Sequence, residues 1–104
     1  MNITFFGKKV EEETYKLPPG ILAEFFAYSR TDRKIGADLG SPHTKALGRG
    51  LFEIRAKDRE GIGRSLFCLA LKNEIIILLS FIKETQKTPK KEIETALKRM
   101  KEIK

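Results

Sequence analysis

Two arginines and one run of lysines are the residues of this chain whose types and spacing suit chemistry. Arg55 ends the alternating stretch Leu51-Phe52-Glu53-Ile54-Arg55, and Arg64 follows Gly61-Ile62-Gly63. If these segments form a hairpin in which Asp58 to Gly61 make a four-residue turn, Arg55 stands opposite Arg64. Directly opposed residues of an antiparallel pair point the same way, so both guanidinium groups would share one face. Like charges there repel unless they share an anion. The alternative is that each arginine pairs with a nearby carboxylate such as Glu53 or Glu60, and the residues alone leave both readings open.

The second constellation is Lys83-Glu84-Thr85-Gln86-Lys87-Thr88-Pro89-Lys90-Lys91, with four lysines and one glutamate. It enters a helix N-terminus, where backbone N–H groups add partial positive charge. Thr85, Gln86 and Thr88 add hydrogen-bonding groups suited to phosphate oxygens or ribose hydroxyls. A solvated lysine loop is the simpler reading of the same composition. Other reactive types are weaker candidates. Cys68 lies in an apolar strand and reads as core, and His43 in its Pro-containing loop reads as a surface histidine before it reads as a general base. Tyr15 and Tyr28 read as helix-packing residues, and Gly61-Ile62-Gly63 as a hairpin turn rather than a phosphate cradle.

The chain that must position these groups has 104 residues, which suits one compact domain over 1–104 with no length for a second core. With 40% apolar residues and seven Phe it has a core to bury. One cysteine excludes an internal disulfide, and a single histidine leaves too few ligands for an ordinary zinc site. The expectation is no metal, no cofactor and a reducing cytoplasm. The N-terminus lacks the charged-then-apolar order of a signal peptide, and the run Leu66 to Leu71 is too short to span a bilayer, so no membrane association is expected. Of the +7 net charge, residues 1–42 contribute nothing (six Lys/Arg against six Asp/Glu) and residues 43–104 all of it (fifteen against eight). A one-sided positive field favours a polyanion, because bound Lys and Arg displace counterions from phosphates.

Periodicity supplies the elements. Asn2 to Phe6 reads as a strand ended by Gly7, and Lys8 to Leu17 as a helix broken by Pro18-Pro19-Gly20. A second helix carries Ile21, Leu22, Phe25, Phe26 and Tyr28 to about Arg33. Residues 35–42 form a loop that His43 to Gly50 continue or close with a short turn. Strands follow at Leu51–Ala56, Ser65–Leu71 and Ile75–Ile82. Phe52 and Ile54 should face the helices, and the last strand, apolar at nearly every position, should be covered on both faces and can pair with the opening strand. Thr88 can cap a final helix with Pro89 at its first position and the stripe Ile93, Ala96, Leu97, Met100, Ile103. The fold class is α+β: an antiparallel-rich sheet of about four strands, an N-terminal helical hairpin and a C-terminal helix.

Taken together, Ser41-Pro42-His43-Thr44-Lys45-Ala46-Leu47-Gly48-Arg49-Gly50-Leu51-Phe52-Glu53-Ile54-Arg55, then Gly63-Arg64, then Leu79-Ser80-Phe81-Ile82-Lys83-Glu84-Thr85-Gln86-Lys87-Thr88-Pro89, resemble the phage-related branch of the RelE/HigB toxin superfamily. The resemblance covers roughly residues 40–104 and, by element order, the front end. It implies a RelE-like fold and the toxin of a toxin-antitoxin system: a metal-independent endoribonuclease, an mRNA interferase, that inhibits translation by ribosome-dependent cleavage of mRNA. The implied partners are mRNA, the ribosome and an antitoxin of helix-turn-helix type. Cleavage in such toxins resembles attack by a ribose 2′-hydroxyl on the adjacent phosphate. By that analogy Arg55 and Arg64 hold the phosphate, and Lys83 and Lys87 are further electrostatic or proton-transfer groups. RNA contacts fall to His43, Lys45, Arg49, Thr85, Gln86, Lys90 and Lys91. The sequence departs from the family pattern at Glu84, where a basic residue is common, and at Ile103 and Lys104, which bring no aromatic ring. The alternative function is a non-catalytic basic RNA- or protein-binding module of the same fold.

Overall fold

A computed structural model describes residues 2–30, 44–58, 61–70 and 74–103, the side chains of 30 and 58 aside. Element order is β1 (Asn2–Phe5), α1 (Lys8–Tyr15), α2 (Pro19–Arg30), β2 (Thr44–Gly48), β3 (Leu51–Asp58), β4 (Gly61–Ala70), β5 (Glu74–Lys83) and α3 (Lys90–Ile103). The strands form one mixed sheet in the order β1-β5-β4-β3-β2, parallel only between β1 and β5. The α+β class and the pairing of the opening strand with the last one hold. No described helix is long and apolar enough to cross a membrane.

The strand β2 is an addition to the expected four, in a segment read as loop or turn. Its apolar pattern is short, and Gly48 and Gly50 hide it. What makes it a strand is pairing with β3 through Arg49 and Gly50, whose φ angles of 57° and 84° belong to a two-residue hairpin turn with both central residues left-handed.

Alternation along the strands sends two sets of side chains to opposite faces. On one face Ile54, Phe67, Ile75 and Ile77 pack with Val10 and Leu17 from the first helical segment and Ile21, Phe25 and Tyr28 of α2. Phe67 stacks on Phe52 at 5.6 Å and meets the edge of Phe25 at 5.1 Å. The hydroxyls of Thr14, Ser80 and Ser65 form a buried chain beneath α1, with spacings of 2.6 and 2.9 Å, so each has a partner. On the other face Leu51, Leu66, Leu78 and Leu79 meet Ala96, with Ile93, Leu97 and Met100 of α3 against them. Cys68 belongs to this second core, as expected of a small apolar residue.

The start of α3 departs from expectation. Thr88 does not cap the helix; its hydroxyl donates to the buried Glu53 carboxylate, a charged acceptor and so a stronger partner than a neutral one. Pro89 takes the capping place, its carbonyl accepting from the N–H groups of Glu92 and Ile93 at 3.1 and 3.2 Å. The helix begins one residue later than the sequence suggests.

Candidate phosphate-binding site

The register of the central strands brings the cations together. Arg55 pairs with Arg64 and Arg64 with Phe81, so all three point to the α3 face. One row further, Lys57 pairs with Ile62 and Ile62 with Lys83; one row back, Lys45 faces Glu53, which faces Leu66. Asp58 pairs with Gly61, as the four-residue hairpin turn requires. Because α3 starts only at Lys90, the segment between Lys83 and Pro89 must cross this end of the sheet, and it lies directly over the two arginines.

Glu53 organises the arrangement. It has no exposed surface, and its Oε1 accepts from Nε and Nη2 of Arg55 at 3.0 and 2.9 Å. Its Oε2 accepts from the Thr88 hydroxyl, whose oxygen in turn accepts from Arg55 Nη2 at 3.3 Å. Arg55 keeps 21% of its side chain exposed and gives Nη1 to the Gln86 carbonyl at 2.8 Å. Arg64 is fully buried and holds the loop from below, with Nη1 on the Lys87 carbonyl at 3.1 Å and Nη2 on the Thr85 carbonyl.

The two arginines therefore resolve differently the alternatives that the sequence left open. Arg55 pairs with Glu53; Arg64 is held by backbone carbonyls, and Arg55–Glu53 is the sole ion pair among the described residues. Glu60 lies outside the described residues. Burial pushes the Arg64 guanidinium below the usual arginine value, and the field of Arg55 lowers it further, while Glu53 partly restores it. An arginine nevertheless stays charged in a protein.

Around this pair, Lys83, Thr85, Gln86 and Lys87 are exposed, as are Lys90 and Lys91 at the helix start, and Lys45 on the edge strand beside Glu53. Arg49 is not among them. It lies at the β2–β3 turn against Leu97, Met100 and Lys101, and the eleven helical steps from Lys90 to Lys101 span about 16 Å. A groove of ≈ 730 Å³ lined by Arg49, Cys68, Leu69, Glu74, Met100 and Ile103 occupies that far end. His43 lies outside the described residues. Among the described residues no group of His, Cys, Asp and Glu side chains stands together as a metal site would require.

Lys57 is the member of the site that the sequence did not assign, and Thr88, read as a phosphate hydrogen-bonding group and a helix cap, is tied instead to Glu53. Lys57 was legible, since Glu53, Arg55 and Lys57 alternate at the spacing of one strand face. The attachment of Thr88 to Glu53 carries no sequence signal, because 35 residues separate them.

This end of the molecule offers fixed positive charge on a rigid sheet, hydrogen-bond donors of guanidinium type and an adjoining lysine loop. Groups of these types are the ones that hold phosphate oxygens and offset charge developing on them, although both arginines are here engaged by oxygen atoms of the chain itself. A family model described as phage-derived protein Gp49-like (DUF891) matches residues 12–101. No curated protein matches the chain.

Proposed function

We propose, from the premise that this chain belongs to the Gp49-like family of phage-derived proteins, that it is a RelE-like toxin which arrests translation by cutting mRNA on the ribosome. The single observation that carries the reading is the opposed pair Arg55 and Arg64 on the α3 face, Arg64 having no carboxylate partner among the described residues, with Lys83 and Lys87 in or beside the loop above. A phosphate supplies the negative charge that two arginines and one glutamate lack.

In this reading the reaction is displacement at phosphorus by the neighbouring ribose 2′-hydroxyl. Arg55 and Arg64 hold the phosphate and the charge that develops on its oxygens; the 2′-oxygen bonds to phosphorus and gives its proton to water, the P–O5′ bond breaks, and Lys83 or Lys87 supplies a proton to the leaving 5′-oxygen, giving a 2′,3′-cyclic phosphate and a 5′-hydroxyl end. Positioning and fixed charge are the main requirements of such a step. An antitoxin that covers the cationic end would hold the activity in check.

Inducible expression with mapping of RNA 5′ ends tests this. Growth arrest with new ends inside translated messages is expected, reduced about a hundredfold or more by Arg64→Ala. Lys83→Ala, an exposed change that spares the fold, should also weaken cutting. A second reading, binding without cutting, is favoured by the engagement of both arginines with groups of the chain itself. RNA binding that weakens with salt, by about 0.7 log units per phosphate contact for each tenfold rise, without any new RNA ends would select it.

A further inference from the structure

Both arginines of the site are already occupied by oxygen atoms of the same chain. Arg55 spends Nε and Nη2 on the Glu53 carboxylate and Nη1 on the Gln86 carbonyl. Arg64 spends its two Nη atoms on the carbonyls of Thr85 and Lys87, and its Nε, buried, has no partner. Three carbonyls and one carboxylate thus stand where phosphate oxygens would bind. A buried Thr-to-Glu contact closes the arrangement: Thr88 is the one buried residue of the loop, and its hydroxyl ties the loop to Glu53.

The charge balance is incomplete. Two guanidinium groups face one carboxylate, and Arg64, with no exposed surface, meets only carbonyl dipoles among the described residues. A buried charge is normally paired with an opposite one. A phosphodiester brings a full negative charge, and charge-assisted hydrogen bonds are roughly twice as strong as those to neutral carbonyls. The anion therefore competes well for Arg64, provided that the loop lifts.

We propose that Glu53 and Thr88 form a latch that holds residues 85–88 closed over Arg64, so that the RNA phosphate enters by displacing the chain's own carbonyls. This rests on the RNA reading above and adds a gating role for Glu53 and Thr88. The latch sets affinity: loop opening is subtracted from phosphate binding, so weakening the latch tightens binding.

The test uses a single-stranded RNA oligonucleotide made uncleavable by 2′-deoxy substitution, with dissociation constants at fixed salt for wild type, Thr88→Val, Glu53→Gln and Glu84→Gln. Thr88→Val changes no charge, so it separates the latch from general electrostatics, which Glu84→Gln measures on the same loop. The expected result is binding about five- to tenfold tighter for Thr88→Val, a gain of about 1 to 1.4 kcal/mol, with faster amide hydrogen exchange across residues 85–88. Thr88→Val binding no tighter than wild type, in a protein that keeps its far-UV spectrum, would overturn the latch and leave the RNA reading standing. Failure of wild type and all variants to bind RNA would overturn the RNA reading, and the gating role with it.

Discussion

Replacing Arg55 by Met keeps the length of the side-chain stem but leaves the Glu53 carboxylate, which has no exposed surface, with the Thr88 hydroxyl alone. Removing one partner of a buried pair costs about 3–5 kcal/mol. Because Arg55 is 21% exposed and Thr88 remains, the lower end applies, about 3 kcal/mol. Glu53→Gln is milder: Arg55 keeps the Gln86 carbonyl and some water, and one charge-assisted hydrogen bond is worth about 1.5 kcal/mol. With both changes neither member of the pair is left without the other, although Arg64 stays buried and charged, and the double variant should lose only about 2.5 kcal/mol, a coupling of about 2 kcal/mol. Urea unfolding followed by far-UV circular dichroism measures all four proteins, since the chain has no tryptophan. Losses that simply add, to within about 0.5 kcal/mol, would show that the pair contributes nothing and that Glu53 does not hold the site.

Other substitutions test the framework. Arg49 has φ 57° at the first position of a turn that favours Asn or Gly, so Arg49→Asn should raise stability by about 0.5–1 kcal/mol in the same urea assay. A Cβ at Gly63 would lie 2.7 Å from Pro18 Cδ, in the junction between α1 and α2, so Gly63→Ala should cost about 1–3 kcal/mol. Burial holds the Tyr28 hydroxyl above the ordinary tyrosine value of 10.0, with Thr44 acting in the opposite direction and Glu24 adding to the rise. The neutral form is thus favoured in the folded chain: its contribution is complete below pH about 10 and is lost as pH rises through the higher folded value. Stability measured between about pH 9 and 11.5 should fall less steeply for Tyr28→Phe than for wild type.

Most of the framework was legible because it follows from local pattern. The stripe of α3, the helix-facing side of β3 and the apolar run of β5 each encode one element and its buried side; the opposite face of β3, which the alternation reads as wet, is covered as well, Glu53 having no exposed surface. The opposition of Arg55 and Arg64 followed from one turn length, which is why it was readable without the rest of the fold. β2 was not readable, since a five-residue edge strand owes its existence to its partner rather than to its own pattern. The role of Thr88 was hidden for a related reason. A threonine before Pro-Lys-Lys is a good helix cap by sequence, and only the approach of Glu53 from another strand redirects its hydroxyl. Burial of Arg64 was equally unreadable, because the loop that covers it is polar and lysine-rich, the composition of a segment that usually stays in water.

The contrast between the two faces of the sheet bears on why the cluster is there. Beneath α1 and α2 the polar groups are few, neutral and mutually satisfied, as in the Thr14–Ser80–Ser65 chain. Beneath the 83–89 segment two like charges are opposed across adjacent strands, one of them buried without a counter-ion among the described residues. Well-packed apolar residues of similar volume at such positions are often as stable as a buried charge cluster or more so. The rest of the same face, where Leu51, Leu66 and Leu79 meet α3, shows that this sequence builds apolar contacts there when stability alone is at stake. Two arginines where the 83–89 segment rather than a helix covers the sheet are not explained by packing, and they are what the proposed site requires of a surface that takes up an anion from outside.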